Sequence, residues 1–166
     1  MANKQSFTPE EWTKILESTM LAGMAVTAAE PSGLWGLLKE GFASSSALAA
    51  AKADSGSSEL VKAVVAEYAT PEGRAAIQEA LRKRFAGSKP GDAVQRSLDN
   101  LREVSAILAA KAPGDAPAFK AWLISISQKV AEASSEGGFL GIGGVQVSDA
   151  EKATLSDIAK ALGTSA

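Results

Sequence analysis

Apolar residues recur at helical spacing along most of this chain, and no run alternates apolar with polar positions over the length of a strand. The first run places Trp12, Ile15, Leu16, Thr19, Met20 and Gly23 on one face. Thr8-Pro9-Glu10-Glu11 opens it with a cap hydroxyl, an N1 proline and a glutamate at N3, the order of a capping box. Pro31 disfavours helical geometry at Glu30, so this helix is expected to stop near Ala29 and a second to run from after Ser32 to Lys52.

A turn over Asp54-Ser55-Gly56-Ser57-Ser58-Glu59 precedes a third face made by Leu60, Val61, Val64, Val65 and Tyr68. Thr70-Pro71-Glu72 repeats the cap-then-proline signature, and Ile77, Leu81 and Phe85 carry a fourth helix toward Gly87. The fifth, between Pro90 and Lys111, is marked by Val94, Leu98, Leu101, Val104 and Leu108 and closed by Pro113-Gly114-Asp115. From Pro117 onward Phe119, Trp122, Leu123, Ile126 and Val130 predict a sixth helix with a strongly amphipathic face. Ser148-Asp149-Ala150-Glu151 is a second capping box, opening a helix with Leu155, Ile158, Ala159 and Leu162 inward and Gly163 as its stop. Only Val145-Gln146-Val147 reads as a short extended piece.

These elements predict an all-α fold: a single compact domain over residues 1–166, with about seven helices. Two glycine turns suggest an internal pseudo-repeat. Gly33-Leu34-Trp35-Gly36-Leu37 and Gly138-Phe139-Leu140-Gly141-Ile142 lie 105 residues apart, each after a helical run ending in small and acidic residues. The corresponding halves would be 8–87 and 90–163.

Composition narrows the chemistry. With 46% hydrophobic and only 5% aromatic residues, and long alanine-rich runs, the chain favours close-packed helices. It has no cysteine and no histidine. Disulfide scaffolds, cysteine nucleophiles, Cys/His zinc sites, imidazole catalysis and the Glu-x-x-His ligand set of di-iron bundles are therefore excluded. Any metal would be a hard divalent cation (calcium, magnesium or manganese) held by oxygen.

No window reaches the ~18 apolar residues of a membrane span, and Met1 to Phe7 lack the apolar core of a secretory signal, so a soluble cytoplasmic protein is expected. The net charge of -2 gives no global attraction for nucleic acid. Locally, seven basic residues between Arg74 and Arg102 stand against three acidic ones, and Arg82-Lys83-Arg84 reads either as a contact for an acidic partner or phosphate or, the preferred reading, as a solvated helix end complementing the dipole.

Two further features invite a functional reading. Residues 137–144 combine five glycines with Phe139, Leu140 and Ile142, which would serve as a docking loop for a protein partner, as a homodimer seam, or as a plug for the domain's own core. Acidic turns recur at Glu30, at Asp54 with Glu59, and at Glu136 followed by Asp149 and Glu151. They would chelate a hard metal if brought together, or simply serve as helix caps. Glu30 or Glu136 beside a pocket would be the base of a carboxylate enzyme.

The stretch Lys129-Val130-Ala131-Glu132-Ala133-Ser134, continuing through Val147-Ser148-Asp149-Ala150-Glu151-Lys152 to Ala159-Lys160-Ala161-Leu162-Gly163, resembles the TerB-like tellurite-resistance family. Ala53-Asp54-Ser55-Gly56 with Glu59 is similar to that family's Ala-Asp-Gly turn and following glutamate, although Ser55 interrupts the Asp-Gly pair and Glu136 stands where aspartate is expected. The resemblance implies an all-helical, internally duplicated cytoplasmic protein that acts with membrane-associated partners in stress resistance and has no established catalysis. It places metal ligands at Asp54, Glu59, Glu136, Asp149 and Glu151. The expectation is a non-catalytic binding or scaffold protein, with a carboxylate-based hard-metal module as the alternative.

Overall fold

The computed structural model describes residues 1–29, 57–136 and 147–164, and every regular element among them is helical. The described residues form six α-helices: α1 (Pro9–Ala28), α2 (Glu59–Ala69), α3 (Pro71–Arg84), α4 (Ala93–Lys111), α5 (Ala116–Glu136) and α6 (Asp149–Leu162). Short 3-10 turns at Lys4–Ser6 and Pro90–Asp92 lead into α1 and α4. The helix expected over 33–52, both glycine turns, Glu30 and the 137–144 loop except for its flanking helix lie outside the described residues. So does all of the Val145-Gln146-Val147 piece except Val147.

Local chemistry starts these helices. Thr8 accepts from the Glu11 backbone N–H at 3.2 Å while Glu11 Oε2 accepts from the Thr8 N–H at 2.8 Å, and Ser148 and Glu151 repeat the exchange at 3.1 and 2.9 Å. Thr70 ends α2 and caps α3, with Pro71 as the first residue of the new helix. Gly73 makes that corner possible, because a Cβ there would collide with the Glu67 carbonyl. At the far end Gly163 takes φ 67°, and the Thr164 N–H reaches back to the Ala159 carbonyl at 3.0 Å.

α1 is the axis of the fold. From Ile15 to Thr27 it is buried on nearly every side, and from Ser18 to Ala29 it carries no charge, as a helix surrounded by others requires. Contacts at Glu11–Lys111 (2.6 Å), Lys14–Glu103 (3.0 Å) and Glu17–Asn100 (3.4 Å) run in opposite directions along α1 and α4, so the two are antiparallel. α5 runs parallel to α1: the Ala2 N–H meets Asp115 at 2.8 Å and Ser127 Oγ donates to the Ala22 carbonyl at 3.0 Å. Small residues at Ser18, Ala22, Gly23 and Ala25 let the neighbouring backbones approach this closely.

The remaining helices close the core. Tyr68 brings the end of α2 against α1, donating to the Leu16 carbonyl at 2.7 Å. Ser105 on α4 donates to the Leu162 carbonyl at 2.9 Å and fixes the end of α6. Ile15, Leu21, Leu60, Leu101, Leu108, Phe119, Leu123, Ile158 and Leu162 are completely buried between them. Truncating one of these aliphatics to alanine removes about 2–5 kcal/mol of stability.

One boundary and one face differ from the pattern-based expectation. α3 ends at Arg84 instead of continuing to Gly87, and Phe85 is its C-cap. The chain tightens into a turn over the next residues and leaves through Gly87 at φ 69°, and Arg96 on α4 takes the freed Arg84 carbonyl at 2.7 Å. In α6 the inward face includes Thr154, while Leu155 is only partly buried. Among the described residues no helix is long and apolar enough to cross a membrane.

Candidate functional site

The most unusual chemistry in the described structure is a carboxylate inside the helical core. Glu17 on α1 is 3% exposed. Its Oε2 accepts from Arg84 Nη2 at 2.8 Å and Nε at 3.3 Å, and from Asn100 Nδ2 at 3.4 Å. Asn100, itself fully buried, also donates to the Lys14 carbonyl at 3.3 Å. One carboxylate oxygen therefore ties together α1, α3 and α4. The pairing is necessary, because an unpaired buried charge would cost several kcal/mol.

Tyr68 on α2 packs against Leu16 and Thr19 of α1. The Tyr68 hydroxyl donates to the Leu16 carbonyl and meets the Thr19 hydroxyl. Burial raises the Tyr68 pKa well above its ordinary 10.0, the Thr19 hydrogen bond works against that, and the negative charge of Glu17 adds to it. The phenol is thus held neutral.

Outside this cluster, a groove of about 420 Å³ is lined by Arg84, Asp92, Gln95, Arg96, Asp99 and Glu103. Arg84 belongs to both. The groove's charges are engaged within the protein: Asp99 takes Arg102 at 2.7 Å and Gln95 at 2.8 Å, Glu103 takes Lys14 at 3.0 Å, and Asp92 accepts the Lys89 backbone N–H at 3.0 Å. Such an arrangement neutralises charge and fixes helices.

The basic segment is similarly occupied. Arg82 makes a two-pronged contact with Glu79 at 2.9 and 2.7 Å, which holds the Glu79 carboxyl below the usual range, and Lys83 approaches the same carboxylate at 3.6 Å. Arg84, expected as part of a solvated helix end, instead has its side chain only 19% exposed. Sequence reasoning missed Glu17, Arg84 and Asn100 as a unit. The available signal was the uncharged run from Ser18 to Ala29, which marks α1 as central and its last charge as needing a partner.

The metal-ligand expectation falls on dispersed helix starts. Glu59 lies in the first turn of α2 and pairs with Lys62 at 2.8 Å. Glu151 is the N3 member of the α6 capping box, and Asp149 is fully exposed beside Lys152 at 3.7 Å. Among the described residues no three acidic side chains converge as a metal site would need. Glu136 is the last residue of α5, but its side chain lies outside the described residues, as do Asp54, Phe139, Leu140 and Ile142.

Comparison with known protein families, with curated proteins and with solved structures gives no match to this chain.

Proposed function

We propose that this chain is a non-catalytic binding or scaffold protein of the TerB-like kind, acting in the cytoplasm through a protein partner in stress resistance. The observation that supports this reading is the commitment of Glu17 to Arg84 and Asn100, which spends a buried carboxylate–guanidinium pair on joining three helices. The hydroxyls of Tyr68 and Ser127 are likewise used on backbone carbonyls of α1. A duplicated architecture is supported by the parallel pairing of α1 and α5, where Ser127 meets Ala22 at a separation of 105 residues, the same offset as the two glycine turns.

The test is twofold. Expression in a tellurite-sensitive host should raise the tolerated tellurite concentration, and unchanged tolerance would remove the TerB-like assignment. Reproducible turnover in a broad hydrolase and transferase screen would remove the non-catalytic one.

A hard-metal module is the second reading, favoured by the solvent-exposed Asp149 carboxylate at the start of α6, which among the described residues has only Lys152 beside it at 3.7 Å. Its ligands would be Asp54, Glu59, Glu136, Asp149 and Glu151, with calcium, magnesium or manganese as the cation.

A further inference from the structure

α3 is tied to the bundle in different ways at its two ends. At its start the Gly73 N–H bonds Thr70 Oγ1 at 3.0 Å, and Arg74 Nη1 donates to the Tyr68 and Ala69 carbonyls at 3.0 and 3.1 Å, fixing the helix to the last turn of α2. At its other end the ties are Arg84 to Glu17 and Arg96 to the Arg84 carbonyl. Between these ends little faces inward. Gly73 and Ile77 alone are buried, Leu81 is partly buried, and Glu79 pairs with Arg82 and Lys83 on the solvent side. α4, by contrast, buries Leu98, Leu101, Val104 and Leu108.

The two kinds of attachment respond differently to separation. Parting Arg84 from Glu17 returns both ions to water, so the hydration regained offsets much of the attraction lost. Baring aliphatic surface has no such compensation. Glu17 also keeps a neutral partner when α3 leaves, because Asn100 reaches it from α4 at 3.4 Å.

We propose that α3 is a releasable strap: its turns from Ile77 to Arg84 lift off α1 as one unit while the rest of the bundle stays folded. The corner at Gly73 and Arg74 is the fixed end, and the Glu17–Arg84 pair is the latch. Lifting uncovers the Glu17 carboxylate and the apolar surface under Ile77, and places Arg84 in solvent beside Arg82 and Lys83. One face of the bundle thereby changes both its charge and its apolar character without loss of the core.

Residue-resolved hydrogen exchange of the full chain under native conditions tests this. The amides of Gln78 to Arg84 should share one opening equilibrium, exchange at least about a hundredfold faster than the slowest amides of α5, and respond less to urea, because less surface is exposed. Leu123→Ala, in the core of α5, should speed the slow α5 amides at least about tenfold and leave the α3 amides within about twofold of their original rates. Rates that fall steadily from Arg84 back to Gln78, as simple fraying gives, would overturn the proposal. So would α3 amides that match the α5 amides in rate and urea dependence, or that accelerate with them in Leu123→Ala. The unsubstituted chain decides the question even where that variant fails to fold.

Discussion

Arg84 reaches across from the end of α3 to Glu17 in the middle of α1, a contact of 2.8 Å between residues 67 apart in sequence. The pair holds α3 on the bundle, since only Gly73 and Ile77 of that helix are otherwise buried. Replacing Arg84 by alanine leaves the Glu17 carboxylate without its cation and should lower unfolding stability by about 3 kcal/mol. Glu17→Leu combined with Arg84→Met should recover most of that loss. A urea-denaturation double-mutant cycle measures the coupling, and additive single effects would contradict the role assigned to the pair.

Tyr68 is the chain's only tyrosine, so its ionisation is visible directly by absorbance. Its folded pKa is raised above the ordinary 10.0, chiefly by burial. The neutral phenol therefore contributes stability that is complete below pH 10 and is lost as pH rises beyond it, because only the unfolded chain ionises readily. Tyrosinate absorbance should appear together with unfolding in an alkaline titration. Tyr68→Phe should cost about 1 kcal/mol at neutral pH by removing the hydrogen bond to Leu16, and should abolish this part of the alkaline sensitivity.

The corner between α2 and α3 depends on Gly73. A methyl group there would collide with the Glu67 carbonyl and come within 2.8 Å of Thr70 Oγ1. Gly73→Ala should destabilise by about 1–3 kcal/mol. Gly114→Ala, where a Cβ meets nothing within 4 Å, is the control and should leave the melting temperature nearly unchanged.

Ser148 tests whether the acidic start of α6 is a cap. Ser148→Ala removes the hydroxyl that accepts the Glu151 N–H and should cost about 1 kcal/mol in thermal unfolding. A loss near zero would mean that the α6 capping box contributes nothing to the fold.

Metal binding has its own outcome. If the carboxylates at Asp54, Glu59, Glu136, Asp149 and Glu151 form one site, calcium, magnesium or manganese should raise the melting temperature selectively, with reversal by chelator and loss in Asp149→Ala. An unchanged melting temperature with all three cations would leave Glu151 as a capping residue and Asp149 as a first-turn charge.

The sequence by itself determined where the described helices begin and which faces they bury. Thr8 with Glu11, Thr70 with Pro71, and Ser148 with Glu151 act within four residues of one another, and the stripes from Trp12 to Met20 and from Phe119 to Val130 repeat with the helical turn. Such signals need nothing from the rest of the chain. The tertiary structure alone decided that α3 stops at Arg84, that α1 and α5 run parallel, and that Glu17 is a core residue. The Glu17 carboxylate, the Arg84 guanidinium and the Asn100 amide come from three helices and meet only when those helices pack around α1. A charge on a helix is ordinarily solvated, and its burial is set by partners too distant in sequence for local periodicity to register.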